Sequence, residues 1–307
     1  MRIIFMGTPD FAVPCLQSLM DAGHSVCAVF TQPDKPKGRG YAMTPPPVKV
    51  LAQKHGIPVF QPNTLRTPQA AGQISGFHPD LIAVVAYGKI LPKEILAVPP
   101  HGCINVHASL LPKYRGAAPI QWSVINGEPV TGVTTMYMDE GLDTGDILFQ
   151  QEVEIGPDET SGMLFDRLSV VGAELLVRTL DAVHTGNIER VKQGKDGESN
   201  APMLKKEMSR IDWNKPAAQI HNLVRGLSPW PVAYAAYQGR RLKIHKTRVY
   251  EGKSGAPGEL SAGKDAVVCC GGGTALQLLE VQYEGGRKMD AADFFRGHPS
   301  LEKTILG

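Results

Sequence analysis

The sequence has few cysteines and no pattern that would organise them. Its five cysteines are odd in number, and none of them forms a C-x-x-C pair. A disulfide framework uses paired cysteines, and a structural zinc site uses closely spaced ones. The cysteine pattern therefore argues against both kinds of site. It is typical of a protein from a reducing compartment, and we expect a cytoplasmic protein.

Long hydrophobic runs are also missing. No stretch approaches the roughly 18 apolar residues that a membrane-spanning helix needs, and the apolar start, residues 1–7, is too short for a signal segment. We therefore expect no membrane partner. The composition, with 42% hydrophobic and 20% charged residues, is that of an ordinary globular protein. A length of 307 residues suggests two domains.

The chain lacks a large net charge, but its charges are unevenly distributed. The formal net charge is +2 at pH 7. Residues 1–205 hold 17 basic and 20 acidic side chains, whereas residues 206–307 hold 15 basic and 10 acidic ones. A basic second half is expected of a protein that binds a polyanion. A solvated surface with a few extra lysines explains the same excess.

The sequence opens with a β-α-β pattern but lacks the glycines of a dinucleotide site. Residues 2–6 and 25–30 read as buried strands, and residues 11–22 read as the helix between them. Gly7 stands alone where a dinucleotide fingerprint needs G-x-G-x-x-G. The pattern therefore predicts a parallel sheet, and we expect no NAD.

Strands and helices alternate through residue 184, which predicts a Rossmann-like, mostly parallel α/β sheet domain over residues 1–189. The further predicted strands are 57–60, 81–86, a strand that starts at Cys103, 131–139 and 147–155. The further predicted helices are 48–55, 68–77, 91–98, 118–126 and 161–184. Because residues 81–86 are continuously apolar, we expect that strand to lie in the centre of the sheet. Strand 81–86 should end at the same edge of the sheet as the strand that starts at Cys103.

The remainder of the chain changes to short strands and glycine turns. Residues 190–206 are polar and charged, and we interpret them as a linker. A helix is predicted at 217–227, a terminal helical turn at 291–296, and short strands at 232–237, 241–249, 259–260, 267–269 and 275–282. Such a pattern predicts a smaller β-barrel domain of the oligonucleotide-binding (OB) type over residues 207–307.

Two segments carry basic residues that could bind phosphate. Residues 32–47 are rich in proline and glycine and are predicted to be a loop, with Lys35, Lys37 and Arg39 as its cations. The second group lies on a predicted strand and its turn, and consists of Arg240, Arg241, Lys243, Lys246 and Arg248. A plain flexible insertion and a solvated strand face are the alternatives to these two interpretations.

A strand that ends in polar residues provides the main candidate for chemistry. Asn105 and His107 are two residues apart, so a strand would point both side chains to one face. Ligands bind outside the carboxyl ends of strands in open α/β sheets. An amide donor beside an imidazole can stabilise an oxyanion and move a proton. A buried pair that is satisfied by backbone groups is the alternative.

An acidic loop follows the next predicted strand, residues 131–139. Asp143 lies between two glycines, and it could reach His107 to fix its tautomer and stabilise the imidazolium. Asp beside Gly is also a common turn residue. Together with Asp143, the acids Asp139, Glu140 and Asp146 raise the alternative of a metal site, but their spacing is not that of a calcium loop.

Four motifs remain to be compared, and they are Gly7–Ala12, Asn105–Pro112 continued by Tyr114–Ile120, Met138–Gly145, and Leu227–Pro231. They resemble the motifs of methionyl-tRNA formyltransferases. Together they span essentially the whole chain. The long second motif is specific, and the first and the last are supportive.

The resemblance implies a site and its ligands. It implies that Asn105, His107 and Asp143 are the catalytic trio. Folate is expected at Ser109, Leu110, Leu111, Pro112, Val85, Tyr87, Gly88 and Asp139. The tRNA would meet the 32–47 segment, with Arg39 as the main contact, and the basic strand of the second domain.

The implied reaction transfers the formyl group of 10-formyltetrahydrofolate to the α-amine of initiator methionyl-tRNA, without a metal and by a monomer. Three alternatives remain open at this point. The chain could formylate a small amine, such as an aminosugar nucleotide or glycinamide ribonucleotide. It could hydrolyse formyltetrahydrofolate with water in place of the amine. It could also be a non-catalytic RNA-binding module that keeps a relic fold.

Overall fold

The computed structural model describes residues 1–37, 42–262, 265–298 and 304–307. The chain folds into two compact units. The first unit comprises residues 1–116, 131–153 and 165–200, and the second comprises residues 117–130, 154–164 and 201–307. The segments 117–130 and 154–164 therefore cluster with the carboxy-terminal residues.

The described residues up to 185 form nine strands and six α-helices. In chain order these are β1 (Arg2–Gly7), α1 (Ala12–Asp21), β2 (Ser25–Phe30), β3 (Lys35–Lys37), β4 (Ala42–Thr44), α2 (Pro47–Lys54), β5 (Val59–Phe60), α3 (Pro68–Ser75), β6 (Leu81–Val85), α4 (Lys93–Leu96), β7 (Cys103–His107), α5 (Pro119–Ile125), β8 (Val130–Tyr137), β9 (Ile147–Glu154) and α6 (Ser161–Thr185).

The first unit is built on a seven-stranded sheet in the order β5-β2-β1-β6-β7-β8-β9. The first five strands in this order, β5, β2, β1, β6 and β7, are parallel, and β8 runs antiparallel to β7. Because β1 is flanked by β2 and β6, the strand order reverses there, and such a reversal opens a crevice at the carboxyl ends of the strands. The mostly parallel sheet predicted from the sequence is confirmed.

The central strands explain why the sheet forms where it does. All five residues of β6 are buried, as a strand covered on both faces requires. A Cβ at Gly7, where β1 ends, would lie 2.9 Å from the Cβ of Ala12 and 3.0 Å from the carbonyl oxygen of Val85. Gly7 therefore lets the chain turn tightly from β1 into α1, and its role is close packing.

The segment 32–47, predicted to be a loop, contains secondary structure. Strands β3 and β4 pair antiparallel, with Lys35 opposite Thr44 and Pro36 opposite Met43. The loop prediction is wrong for these residues because a two-stranded ribbon has free edges, which tolerate a proline that lacks an N–H group. Arg39 lies outside the described residues.

The second unit contains the remaining elements. They are a 3-10 turn at Lys206–Ser209, α7 (Ala217–Gly226), β10 (Tyr234–Tyr237), β11 (Arg240–Tyr250), β12 (Leu260–Ala262), β13 (Ala266–Cys270), β14 (Thr274–Tyr283), β15 (Lys288–Asp290) and α8 (Ala291–Gly297). The sheet order is β10-β11-β14-β13-β12, and β15 pairs with β14. All of these pairs are antiparallel.

The second sheet is the smaller barrel-like domain that the sequence predicts, in the form of a half-barrel. Its longest pair, β11 and β14, has register shifts on both sides of Lys246. Such bulges increase the twist of a sheet and help it to curl around its core. That core includes an aromatic group formed by Tyr237, Phe294 and Phe295.

Helix α5 also belongs to this unit, since it packs on α7. The two helices approach closely at Gly226, where a Cβ would lie 3.0 Å from the backbone nitrogen of Ile125. The boundaries 1–189, 190–206 and 207–307 stay a prediction. In the described residues, no helix combines the length and the apolar character that a membrane crossing requires.

Candidate active site

Asn105 and His107 lie at the carboxyl end of β7, between β6 and β8. In the register of the sheet, Asn105 is opposite Met136 and His107 is opposite Thr134. Only 9% of Asn105 and 6% of His107 is exposed to solvent. Two polar side chains are therefore held at the end of β7 with little exposure to solvent. We call the end of β7, together with the end of β6 at Val85, the site edge.

A backbone carbonyl orients the imidazole of His107. The Nε2 atom lies 2.9 Å from the carbonyl oxygen of Tyr114. Because a carbonyl oxygen only accepts hydrogen bonds, Nε2 carries a proton and Nδ1 is the nitrogen left for chemistry. The sequence-based expectation that Asp143 fixes the tautomer is therefore wrong. The carbonyl of Tyr114, seven residues further along the chain, does so.

Asp143 completes the trio from the loop between β8 and β9. Its Oδ2 accepts a hydrogen bond of 2.9 Å from the backbone N–H of Gly116 and lies 3.7 Å from Nδ1 of His107. Its Oδ1 lies 3.5 Å from Nδ2 of Asn105. The structure thus brings Asn105, His107 and Asp143 together, with the carboxylate beside the nitrogen that can gain a proton.

The loop that carries Asp143 is strongly constrained. Asp143 itself has a φ of 53°, a left-handed conformation that Asp tolerates better than most residues. A Cβ at Gly145 would lie 1.8 Å from the carbonyl oxygen of Tyr137, so only glycine fits there. In the described parts of the chain, no three His, Cys, Asp or Glu side chains are grouped so that they could hold a metal ion.

Asp139 closes the base of the same loop. Its Oδ1 accepts hydrogen bonds from Gly141 N at 2.9 Å and from Thr144 Oγ1 at 2.7 Å. This carboxylate therefore stabilises the turn that presents Asp143. A contact between Asp139 and folate stays a prediction.

The segment Ser109–Pro112 is fastened to β8 and β9. Ser109 Oγ donates to the carbonyl of Lys113 at 2.6 Å. Thr134 Oγ1 donates to the carbonyl of Ser109 at 2.6 Å and accepts from the N–H of Leu111 at 3.1 Å. Gln150 Nε2 donates to the carbonyl of Leu111 at 2.9 Å. These polar groups already make hydrogen bonds within the protein. A folate contact at this segment stays a prediction, and it would be mainly apolar, through Leu110 and Pro112.

The exit of β6 is held by two side chains that the sequence alone did not single out. Thr8 Oγ1 donates to the carbonyl of Tyr87 at 3.1 Å, and Gln32 Nε2 donates to the carbonyls of Tyr87 and Gly88 at 3.1 and 3.2 Å. Ala86 and Gly88 have φ angles of 46° and 79° and are exposed. Backbone is therefore presented at the site edge next to Val85.

The side chain of Tyr87 lies in the core. It is 1% exposed and packs with the apolar cluster around Ile82 and Leu91. Burial raises the pKa of its phenol to about 12, so the group is neutral at any physiological pH. The expected folate contact at this position stays a prediction, and it would involve the backbone of Tyr87.

The predicted phosphate-binding residues differ in how the structure presents them. Leu242 and Ile244 of β11 are buried, and the side chains between and around them are exposed. The exposed set includes Arg240, Arg241, Lys243 and Lys246, and the Cζ atom of Arg241 lies 4.5 Å from the ring centre of Tyr234. In the first unit, Lys35 is exposed on β3, and the backbone of Lys37 ends that strand. Their contacts with tRNA stay a prediction.

The comparisons with known proteins agree over the whole chain. Residues 1–180 match the family model described as formyl transferase, and residues 203–299 match the model described as formyl transferase, C-terminal domain. The methionyl-tRNA formyltransferase of Trichlorobacter lovleyi is 54% identical over 99% of this chain and 96% of its own length. This chain belongs to the methionyl-tRNA formyltransferase family. The family members of Geobacter metallireducens and Alkaliphilus oremlandii are 53% and 50% identical over 97% and 100% of the chain, and over 96% and 100% of their own lengths.

Solved structures support the fold of this formyltransferase. An N-formyltransferase from Helicobacter canadensis, in complex with folinic acid and dTDP-3-aminofucose, matches with a TM-score of 0.70 and 19% identity over 92% of this chain and 98% of its own. A sugar 3N-formyl transferase, solved in the presence of dTDP and 5-N-formyl-THF, matches with a TM-score of 0.69 and 18% identity over 92% and 97%. At such identities the likeness concerns the fold.

Proposed function

We propose that this chain transfers the formyl group of 10-formyltetrahydrofolate to the α-amine of initiator methionyl-tRNA, which produces formylmethionyl-tRNA for the initiation of translation. The observation that carries the proposal is the trio of Asn105, His107 and Asp143, assembled at the site edge of a chain whose relatives of matching length carry this name. Folate supplies an activated formyl group on its N10 nitrogen.

Asn105 is the donor that stabilises the developing negative charge. Attack of the amine on the formyl carbon places that charge on the formyl oxygen. Asn105 is almost fully buried, and a hydrogen-bond donor in such a setting is worth more than one in water. The donor set of an amide and an imidazole therefore fits a formyl group at the end of β7.

His107 moves the proton through its Nδ1 atom. Its Nε2 is bound to Tyr114, so Nδ1 accepts the proton that the attacking amine must lose. The resulting imidazolium is stabilised by Asp143, whose Oδ2 lies 3.7 Å away. The same Nδ1–H then donates the proton to the departing N10 nitrogen, which balances the exchange without any further reactant.

The two basic segments supply the attraction for the tRNA. Lys35 on the ribbon of the first unit and the exposed face of β11 in the second unit both offer cations to phosphates. This feature favours a nucleic-acid acceptor over a small amine. We further infer that the protein works as a monomer in the cytoplasm, where charged tRNA is available, without a metal and without NAD.

Formylation of charged tRNA tests this function. The protein is incubated with 10-formyltetrahydrofolate and either methionyl-initiator tRNA, the uncharged tRNA, or an aminosugar nucleotide, and formyl transfer is measured in each reaction. The proposal expects product with the charged tRNA alone. Folate turnover without an acceptor would identify a hydrolase instead, and transfer to the sugar would identify a small-amine enzyme.

A further inference from the structure

A glutamine in the segment predicted to be a linker joins the two loops that build the site. The side-chain amide of Gln193 donates from Nε2 to the carbonyls of Asp143 at 2.9 Å and of Gly145 at 2.8 Å. Its Oε1 accepts from Arg115, with distances of 3.1 Å to Nε and 2.7 Å to Nη2. Nε2 also lies 3.8 Å from the sulfur of Met136. The four oxygen–nitrogen contacts satisfy the hydrogen-bonding capacity of the amide.

Each end of this bridge leads to a catalytic group. Residues 143 and 145 belong to the loop that holds the carboxylate of Asp143. Arg115 lies between Tyr114, whose carbonyl binds His107, and Gly116, whose N–H binds Asp143. The distance between Nδ1 of His107 and the carboxylate therefore depends on how the two loops are spaced, and Gln193 bridges these two loops.

The bridge is itself firmly held. Arg115 is 8% exposed, and its Nη1 atom lies 2.7 Å from Oε1 of Glu198. The N–H groups of Tyr114 and Arg115 donate to the hydroxyl and the carbonyl of Ser199, both at 2.9 Å. The segment that includes Gln193, Glu198 and Ser199 thus contacts both loops.

We propose that Gln193 is a positioning residue, which holds the carboxylate of Asp143 against Nδ1 of His107 and so sets the rate of formyl transfer. This inference rests on the proposed function. Only a primary amide meets the geometry, because two hydrogen-bond donors must face two carbonyls while an acceptor faces the guanidinium. A displacement of about 1 Å at such a group can cost on the order of 10²-fold in rate.

The test separates positioning from general support of the fold. We expect Gln193→Ala to lower kcat about 10- to 50-fold, with the KM for folate and for tRNA changed less than about threefold. Gln193→Glu should lose a similar factor, because it keeps the pairing with Arg115 but turns an oxygen toward the two carbonyls. The matched control is Gln73→Ala, an exposed glutamine of α3, which should keep the wild-type kcat.

A double-mutant cycle shows whether Gln193 acts through Asp143. In an Asp143→Ala background, Gln193→Ala should reduce the single-turnover rate by less than about twofold, because the carboxylate that it positions is already gone. A wild-type kcat in either Gln193 variant would overturn the proposal, as would an equal loss in the Asp143→Ala background. Absence of formyl transfer by the wild-type protein would instead overturn the proposed function.

Discussion

The proposed catalytic trio and the basic face of β11 use polar residues in opposite ways. Asn105 and His107 are almost fully buried, and their positions are set by named contacts at 2.9 to 3.7 Å. Arg241, Lys243 and Lys246 are exposed on a strand whose alternate residues build a core. Chemistry at the trio depends on each atom, whereas attraction of a polyanion depends on the sum of charges. Single substitutions should therefore be severe at the trio and mild on β11.

The largest effect is expected at His107. Replacing it with Ala removes the nitrogen that we propose takes and returns the proton, so kcat should fall by about 10³-fold or more. The Kd for tRNA, measured by filter binding, should stay within about twofold of the wild-type value. The control is His55→Ala, an exposed histidine at the end of α2. Near-normal turnover by His107→Ala would remove the distinction between the two regions.

Asn105→Ala should be the next most damaging change. It deletes the buried amide donor, and loss of one such donor typically costs about 10²–10³-fold in kcat. Asn105→Asp keeps the shape but places a second carboxylate near Asp143, so it should not restore activity. Steady-state formylation with saturating substrates provides the measurement, and a loss that appears only in KM would argue against oxyanion stabilisation.

Neutralising the face of β11 should weaken binding without slowing the chemistry. With Arg241, Lys243 and Lys246 all changed to Gln, we expect the tRNA Kd to rise by about tenfold or more at low salt. The dependence of log Kd on log salt should become shallower, because each lost phosphate contact removes roughly 0.7–0.9 from the slope. At saturating tRNA, kcat should be unchanged.

A triple variant on other surfaces is the control for that experiment. Lys54, Lys206 and Lys215 are exposed, and none of them belongs to β11. Changing all three to Gln removes the same formal charge. If both triple variants lost affinity equally, net charge would explain the binding, and β11 would not be a distinct surface.

The smallest effect is expected from thiol modification. Burial raises the pKa of Cys103, two residues before Asn105, to about 12, and raises that of Cys15 and Cys270 to about 12 as well. The reactive thiolate is therefore scarce at pH 8. Treatment with iodoacetamide at pH 8 should leave kcat unchanged and Cys103 unlabelled in a peptide map. Rapid labelling of Cys103 with loss of activity would mean that the site edge is more open than the structure indicates.

The sequence predicted the sheet and the strand edge at which the candidate site residues meet, because both follow local patterns. The apolar run of β6 and the polar end of β7 are visible in the residues themselves, and parallel strands bring their carboxyl ends to one edge. The assembly of Asn105 and His107 with Asp143 was expected from spacing and from the resemblance. In the structure, the carboxylate of Asp143 lies within 3.7 Å of both other side chains.

Other parts of the site could not be predicted in the same way. The partner of His107 is a backbone carbonyl, which every residue has and which leaves no signature in a sequence. Gln193 lies in a polar stretch that resembles a linker, and only the folded chain brings it to Asp143 and Arg115. The clustering of residues 117–130 with the second unit likewise depends on long-range helix packing.

The ribbon of β3 and β4 shows another limit of prediction from the sequence. Proline and glycine argue correctly against a long helix or a central strand, but they do not exclude a short pair of strands with free edges. A segment with many breakers can still be extended and paired.

Single-turnover formylation tests the central claim most directly. Excess protein is mixed with 10-formyltetrahydrofolate and methionyl-initiator tRNA, and formylmethionine is followed over time for the wild-type protein, His107→Ala, and the β11 triple variant. We predict a slow transfer step for His107→Ala, and a wild-type transfer step for the triple variant once its tRNA is bound. Wild-type transfer by His107→Ala, or no transfer by the wild-type protein, would contradict the account.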